Sequence, residues 1–442
     1  MTPLTDLAAA ALDVPGADAV EVHLTRDDTA LTRFAESRVH QNTARTDGEA
    51  RVRVVVDGSR VGVVATNDLT PDGLREAARA AVEAARVTPP DESFAGLAEP
   101  AAYESAGVDD AATGDASPAD RARLVAAMLS HLGGGMVAAG TAESGRHEVA
   151  VVNTNGVAAS HASTRASVTC LVSGDDSTGW AEQTAASIGE IDADAVAARA
   201  VRKVELGRGP RDVEPGDYAV VLEPVAVSAL VEWLCWLAFG GRDVVEGRSA
   251  VSGKIGERIC SPLVTLVDDA LSPDMTGVPF DAEGTPKRVL PLVEEGVARH
   301  VAHDRMSARL GGAESTGHAF PAPNPQGGFP AHPRLRAGDA SLEELVGGLE
   351  RGLLVTRFHY TNAVHALSTT ITGMTRDGTF LVEDGEVVGG VRNLRFTQSV
   401  LDALSGVEAV GRDTALGSEF GGAVRVPALR LTRFHFSSAT SF

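Results

Sequence analysis

Several groups of residues in this 442-residue chain have types and spacings that chemistry uses. His147-Glu148 opens like the helix of a zinc metalloprotease, where a second histidine one turn later faces the same metal. Positions 151 and 152 are both valine, however, and HEVAVVN alternates like a strand, so the pair reads as two ordinary polar residues. His300 and His303 lie three apart beside Asp304, a spacing that pairs ligands on a helix; His359 and His365 form a looser pair. Polar contacts at strand ends are the plainer reading of both. Gly247–Lys254 (GRSAVSGK) has five residues between its glycines and Ile255 after the lysine, so it is no phosphate loop. Asp268-Asp269 and Asp281–Glu283 gather carboxylates fit for acid–base work, but Asp and Gly at turns usually serve the local backbone. Cys170 and Cys235 sit in apolar runs with no basic neighbour to lower their pKa, where a thiol acts as a small hydrophobe. Types and spacing alone complete no catalytic constellation.

Composition narrows the partners. Against 60 acidic side chains stand 39 basic ones, of which only Lys203, Lys254 and Lys287 are lysines. The net charge of −21 leaves no cationic excess to displace counterions, which argues against nucleic acid. Three cysteines, with Cys260 the third, are too few and too scattered for a disulfide framework or a thiolate zinc cluster. The first residues carry no basic region ahead of an apolar run, and the most apolar stretch, Ala226–Phe239, is 14 residues with Glu232 inside it. That is too short to span a bilayer and fits a buried helix, so the expectation is a soluble, cytoplasmic protein without a membrane partner.

The elements that must position these residues read as α+β. The N-terminal part predicts an antiparallel sheet with flanking helices, and the C-terminal part a β-rich mixed domain around a buried helix. Ala19–Arg26 alternates with Val20, Val22 and Leu24 on one face, and two short strand-like runs follow within 30–42. Strands 50–56 and 60–66 flank Asp57-Gly58, a hairpin signal. Thr70-Pro71 and Ser117-Pro118 open helices, a third runs from about Asp192 to Val204, and Pro89–Ala116 reads as a long loop. Strands are expected at 147–153 and 157–173 around Asn155-Gly156, and further on at 263–267, 289–293, 378–382, 387–391 and 428–436. Turn-rich Gly207–Gly216 divides the chain into domains 1–210 and 211–442, and Gly311–Gly338 is ordered only by its surroundings.

One long stretch says more than any short motif. Ser249–Leu310 contains a Ser-Gly-Lys turn at 252–254, Val267-Asp268-Asp269, Asp281–Pro286 (DAEGTP) and Asp304–Arg309. In that order they resemble the TldD/PmbA (modulator of DNA gyrase) peptidase family. Thr370–Leu404 resembles its closing β segment, and AVEVHLTR with the hairpin and Ala-rich helix resembles its first domain. The resemblance implies a cytoplasmic peptidase of two related subunits. The TldD-like one binds zinc through H-E-x-x-x-H on a buried helix, with the glutamate as general base. The PmbA-like (TldE-like) one has the same fold without the ligands. Counting back from Ser249–Gly253, the histidine positions fall on Glu232 and Leu237 and the glutamate position on Trp233. No histidine occurs from 162 to 299, so a shifted count does not restore the motif.

The expectation is therefore a PmbA-like chain with no metal or cofactor of its own and no catalytic residue at the motif positions. It would pair with a TldD-like zinc subunit and act on extended or unfolded peptide. A stand-alone peptide-binding homodimer and an independent peptidase with a relocated site are the alternatives. Trp233, Trp236, His300, His303 and Asp304 are the candidates to line a peptide groove.

Overall fold

The computed structural model describes residues 2–417 and 422–440. Its first part is a six-stranded sheet of β1 (Ala19–Ala35), β2 (Arg38–Val56), β3 (Arg60–Thr66), β4 (Val137–Asn153), β5 (Ala158–Ser173) and β6 (Thr178–Ala185). The order is β3-β2-β1-β4-β5-β6, antiparallel throughout. Asp57 and Gly58 both take positive φ, the geometry that a two-residue hairpin requires.

Helices cover one face of this sheet. Pro71–Val87, capped by Thr70, buries Leu74, Ala78 and Ala81 against Val20, Val22 and Leu24. Pro118–Ser130, opened by a Ser117–Asp120 capping box, and Ala193–Leu206 cover Val168, Cys170 and Val172. The opposite face, with Glu21, His23, Asp27, Arg53 and His147, turns toward the rest of the chain.

β1 and β2 run far beyond the short strands expected at 19–26, 30–42 and 50–56. Residues 38–47 are exposed, so both faces of that ribbon are polar and no period-two hydrophobic signal marks it. His147-Glu148 does lie on a strand, β4, and the 89–116 segment is loop save for one turn at Ala111–Gly114.

The C-terminal part closes on itself. Gly216–Leu222 runs parallel to Arg351–His365, which pairs with Thr370–Glu383; that strand pairs with Leu394–Ser399, and Leu394–Ser399 with Val424–Ala439. Val424–Ala439 then pairs back onto Gly216–Leu222, so five strands form a closed ring without edges. Phe358, Phe396, Phe434 and Phe436 fill its core at centroid distances of 4.6–5.4 Å. The short strands Leu266–Asp268, Leu290–Glu294, Val297–Ala298 and Pro333–Leu335 extend the sheet, and Glu386–Gly390 and Val407–Gly417 flank it. The expected strands at 263–267 and 428–436 are thus displaced or lengthened. Gly216–Leu222, Arg351–His365 and Val407–Gly417 lie outside the strands expected from the sequence, and Leu394–Ser399 falls within the β segment expected over 370–404.

Candidate functional site

The motif helix is Pro224–Ala238, with Pro224 at its first position. It is apolar on nearly every side because it packs between barrel strands and the short-strand extension; Leu230, Leu234 and Ala238 are fully buried. Glu232 is 4% exposed and Leu237 7%. Trp233 donates its indole N–H to Thr361 Oγ1 at 3.0 Å. Trp236, 40% exposed, stands edge-on to Phe329 at 5.0 Å, and Phe329 stacks on Phe320 at 5.5 Å.

This donor set does not fit zinc. A catalytic zinc site takes three protein ligands and leaves a place for water. The three positions reached by the sequence count, Glu232, Trp233 and Leu237, supply one carboxylate, an indole that only donates, and an aliphatic side chain. Among the described residues no group of three or more His, Cys, Asp or Glu is placed to hold a metal ion. The thiol of Cys235, one residue from Trp236, is buried and pushed well above its usual pKa by that burial and by Asp268 and Glu232. It remains a thiol.

His300, His303 and Asp304 do not share a helix. The segment is irregular and docks by an Ala302–Gly240 bridge at the end of the motif helix. His300 is exposed, while His303 places Nδ1 3.2 Å from Ser307 Oγ. Both border a 460 Å³ groove with Val244, Val245 and Ile255. Asp304 is buried and caps the helix Arg305–Gly311 by accepting the Ser307 N–H at 2.7 Å. His359 and His365 lie on Arg351–His365, and His365 is exposed.

The carboxylates around residues 268 and 281 are structural. Asp268 accepts the backbone N–H of His332 at 2.6 Å and meets His318 Nε2 at 3.1 Å, both side chains of that pair fully buried. Burial alone would raise its pKa, but the charge and hydrogen bond of His318 outweigh this and hold it far below the usual range. Asp281 accepts three backbone N–H groups, from Glu283, Thr285 and Ala319, each at 2.9 Å. Burial and then the neighbouring Glu283 nonetheless push its pKa up to about 7.

Glu283 carries the DAEGTP turn across to the N-terminal sheet. Arg53 of β2 bonds both Glu21 of β1 (2.9 Å) and Glu283 (3.2 Å), all three buried or nearly so. A second buried pair, Lys203 with Glu223 at 2.6 Å, ties Ala193–Leu206 to the start of the motif helix. Tyr103 reaches the Gly284 carbonyl at 2.8 Å, so the 89–116 loop straps the same junction. Arg53, Glu21, His318 and His332 carry no short motif, and sequence reasoning missed them. Only Arg51–Val56 within a family-like hairpin pointed near the first.

The polar sheet face and the C-terminal part enclose an 840 Å³ chamber, lined among others by Asp27, Arg45, His147, Arg165, Val278 and His332. A second cleft of 890 Å³ separates β6 from Val407–Gly417 and reaches Glu223 and Pro224.

Comparison with known proteins agrees with this architecture. The PmbA/TldA metallopeptidase C-terminal domain matches residues 215–438, domain 1 matches 20–85 and the central domain matches 108–207. The chain belongs to the PmbA/TldD metallopeptidase family. It is 25% identical to the metalloprotease PmbA of Escherichia coli O157:H7 over 93% of this chain and 91% of that one. It is 28% identical to a metalloprotease of Methanothermobacter thermautotrophicus over 51% of this chain and 48% of that protein. Several of the curated relatives are likewise spanned over about half their length or less. TldE from Thermococcus kodakarensis superposes with a TM-score of 0.88 at 22% identity, covering 98% of this chain and 99% of the other. A Thermotoga maritima protein described as a modulator of a DNA gyrase superposes at 0.81, 20% identical, over 95% and 96%. These likenesses establish the α+β fold. Among the described residues no helix is long and apolar enough to cross a membrane.

Proposed function

We propose that this chain is the metal-free, PmbA-like subunit of a TldD/PmbA-type metallopeptidase complex, cytoplasmic and non-catalytic by itself. It would complete the chamber in which a TldD-like zinc partner cuts extended or unfolded peptide. One observation carries the reading: counted back from Ser249–Gly253, the residues at the positions of the zinc motif are Glu232, Trp233 and Leu237, in place of two imidazoles and a general base. Units 1–210 and 211–442 would then serve as wall and core of that chamber. Of the groove candidates, this reading keeps Trp236, His300 and His303 at a peptide-facing surface, while Asp304 is buried as a cap.

The test is to purify the chain, the TldD-like partner and their mixture, measure zinc in each, and follow a leader or unfolded peptide by mass spectrometry. Zinc in the partner alone and full cleavage only in the mixture are expected. Stoichiometric zinc in this chain, or full-rate cleavage by the partner without it, would overturn the proposal.

A further inference from the structure

The barrel strand Arg351–His365 runs past the end of its parallel neighbour. It pairs with Gly216–Leu222 only over Gly352–Val355, whereas its pairing with Thr370–Glu383 continues to His365. Among the described residues no strand lies along the other edge of Tyr360–His365. Tyr360 is 74% exposed, Val364 56% and Leu367 52%, and every residue from Asn362 to Ser368 is exposed.

Two features set this edge apart. Natural sheets blunt an open edge with charge, proline or a covering segment, because its unpaired N–H and C=O groups invite another strand. Residues 358–375 contain no Asp, Glu, Lys, Arg or Pro. The exposed part of β2 over 38–47, which pairs only with β1, carries Arg38, Arg45 and Asp47 instead. The second feature is Tyr360 itself, at φ 55°, in the left-handed region that a bulky residue rarely takes. The pairing shifts register between His359 and Asn362, and this bulge turns the tyrosine out to solvent. Asn or Gly would adopt that conformation with less strain, and a ring so exposed buries too little to offset the strain within its own chain.

The edge is continuous with the motif helix. Trp233 of that helix donates to Thr361 Oγ1, and Trp236, one turn on, is 40% exposed. Tyr360, Val364, Leu367 and Trp236 leave on the order of 400 Å² open, about half of the ~800 Å² that each partner of a stable interface buries. The strand edge and its small polar residues supply the remainder.

We propose that this edge docks the TldD-like subunit: a strand of that chain pairs antiparallel with Tyr360–His365, and Tyr360, Val364, Leu367 and Trp236 pack against its apolar side chains. The proposal rests on the subunit reading above and adds the surface. The C-terminal domain that matches residues 215–438 includes this strand pair, so a family partner brings the corresponding edge. Each edge then covers the other across a near two-fold axis.

The experiment measures association of the full-length chain with the TldD-like partner by sedimentation velocity and titration calorimetry. Y360N replaces the ring with a residue more at home at positive φ, and V364K places a charge on the edge. Each should weaken association at least tenfold, with the thermal midpoint of the isolated chain unchanged or, for Y360N, raised. V39K, on the charged ribbon of β2, should associate like the wild type. Wild-type affinity in both edge variants, or an equal loss in V39K, overturns the docking proposal while the subunit reading stands. A chain that is dimeric by itself and monomeric as V364K also overturns it, because the occupant is then a second copy. If the wild-type chain and the partner do not associate, the subunit reading falls as well.

Discussion

Two buried regions of this protein have opposite chemistry. The motif helix Pro224–Ala238 is packed almost wholly with apolar side chains, whereas the junction a short way off buries Glu21, Arg53, Glu283 and the Lys203–Glu223 pair. The difference follows from what each must hold. The helix lies inside a core, where space is most stable when filled, so Leu237 closes it with ordinary packing. A junction between two sheets cannot be simplified one residue at a time. Removing any single partner leaves another charge buried and uncompensated.

That contrast is best broken at Arg53. R53M should lower the free energy of unfolding by about 3–5 kcal/mol in urea or guanidinium titrations, because two buried carboxylates lose their shared cation. Adding E21Q and E283Q to R53M should restore most of the loss. A cost below about 1 kcal/mol for R53M would mean that the junction is solvated and the contrast false. On the other side, L230A should cost about 3 kcal/mol through lost burial and the cavity left behind, with no dependence on salt or pH.

The acid dependence separates the two kinds of buried carboxylate. Asp281 is raised from 3.8 to about 7, so its protonated form stabilises the fold below the unfolded value, and this is lost as pH rises through 7. Asp268 is held below its usual value, so its contribution is present above 3.8 and lost on acidification. Unfolding free energy should therefore fall from pH 5 to pH 8, by at most about 1.4 kcal/mol per pH unit for each proton involved. D281N should flatten that slope. Least costly is W236A, which loses a half-exposed aromatic contact with Phe329 and should destabilise by about 1 kcal/mol in thermal or chemical unfolding. If Trp236 touches peptide, the same variant will weaken peptide binding by more than its stability change accounts for.

Much of this was legible in the sequence for local reasons. Polar caps before proline at Thr70 and Ser117 and the Asp57-Gly58 turn act through their own backbone, and all appear where expected. The continuous apolar run at 226–239 announced a buried helix for the same reason. The barrel strand Arg351–His365 did not announce itself, because its outer half is exposed and polar and its hydrogen bonds go to partners distant in sequence. His300 and His303 misled in the same way. Their spacing is meaningful only on a helix, and docking against Gly240 and Gly241 leaves no room for one there.

By itself, then, the sequence determined the α+β class and the family. Each of these depends on residue identity or on near-neighbour periodicity. Only the tertiary structure decided that Asp268 belongs to His318, that Arg53 joins β1 to the DAEGTP turn, and that Arg165 and His332 face one chamber. A charge placed in a chain has no fixed meaning until folding sets its burial and its partner, and both come from residues far away in sequence.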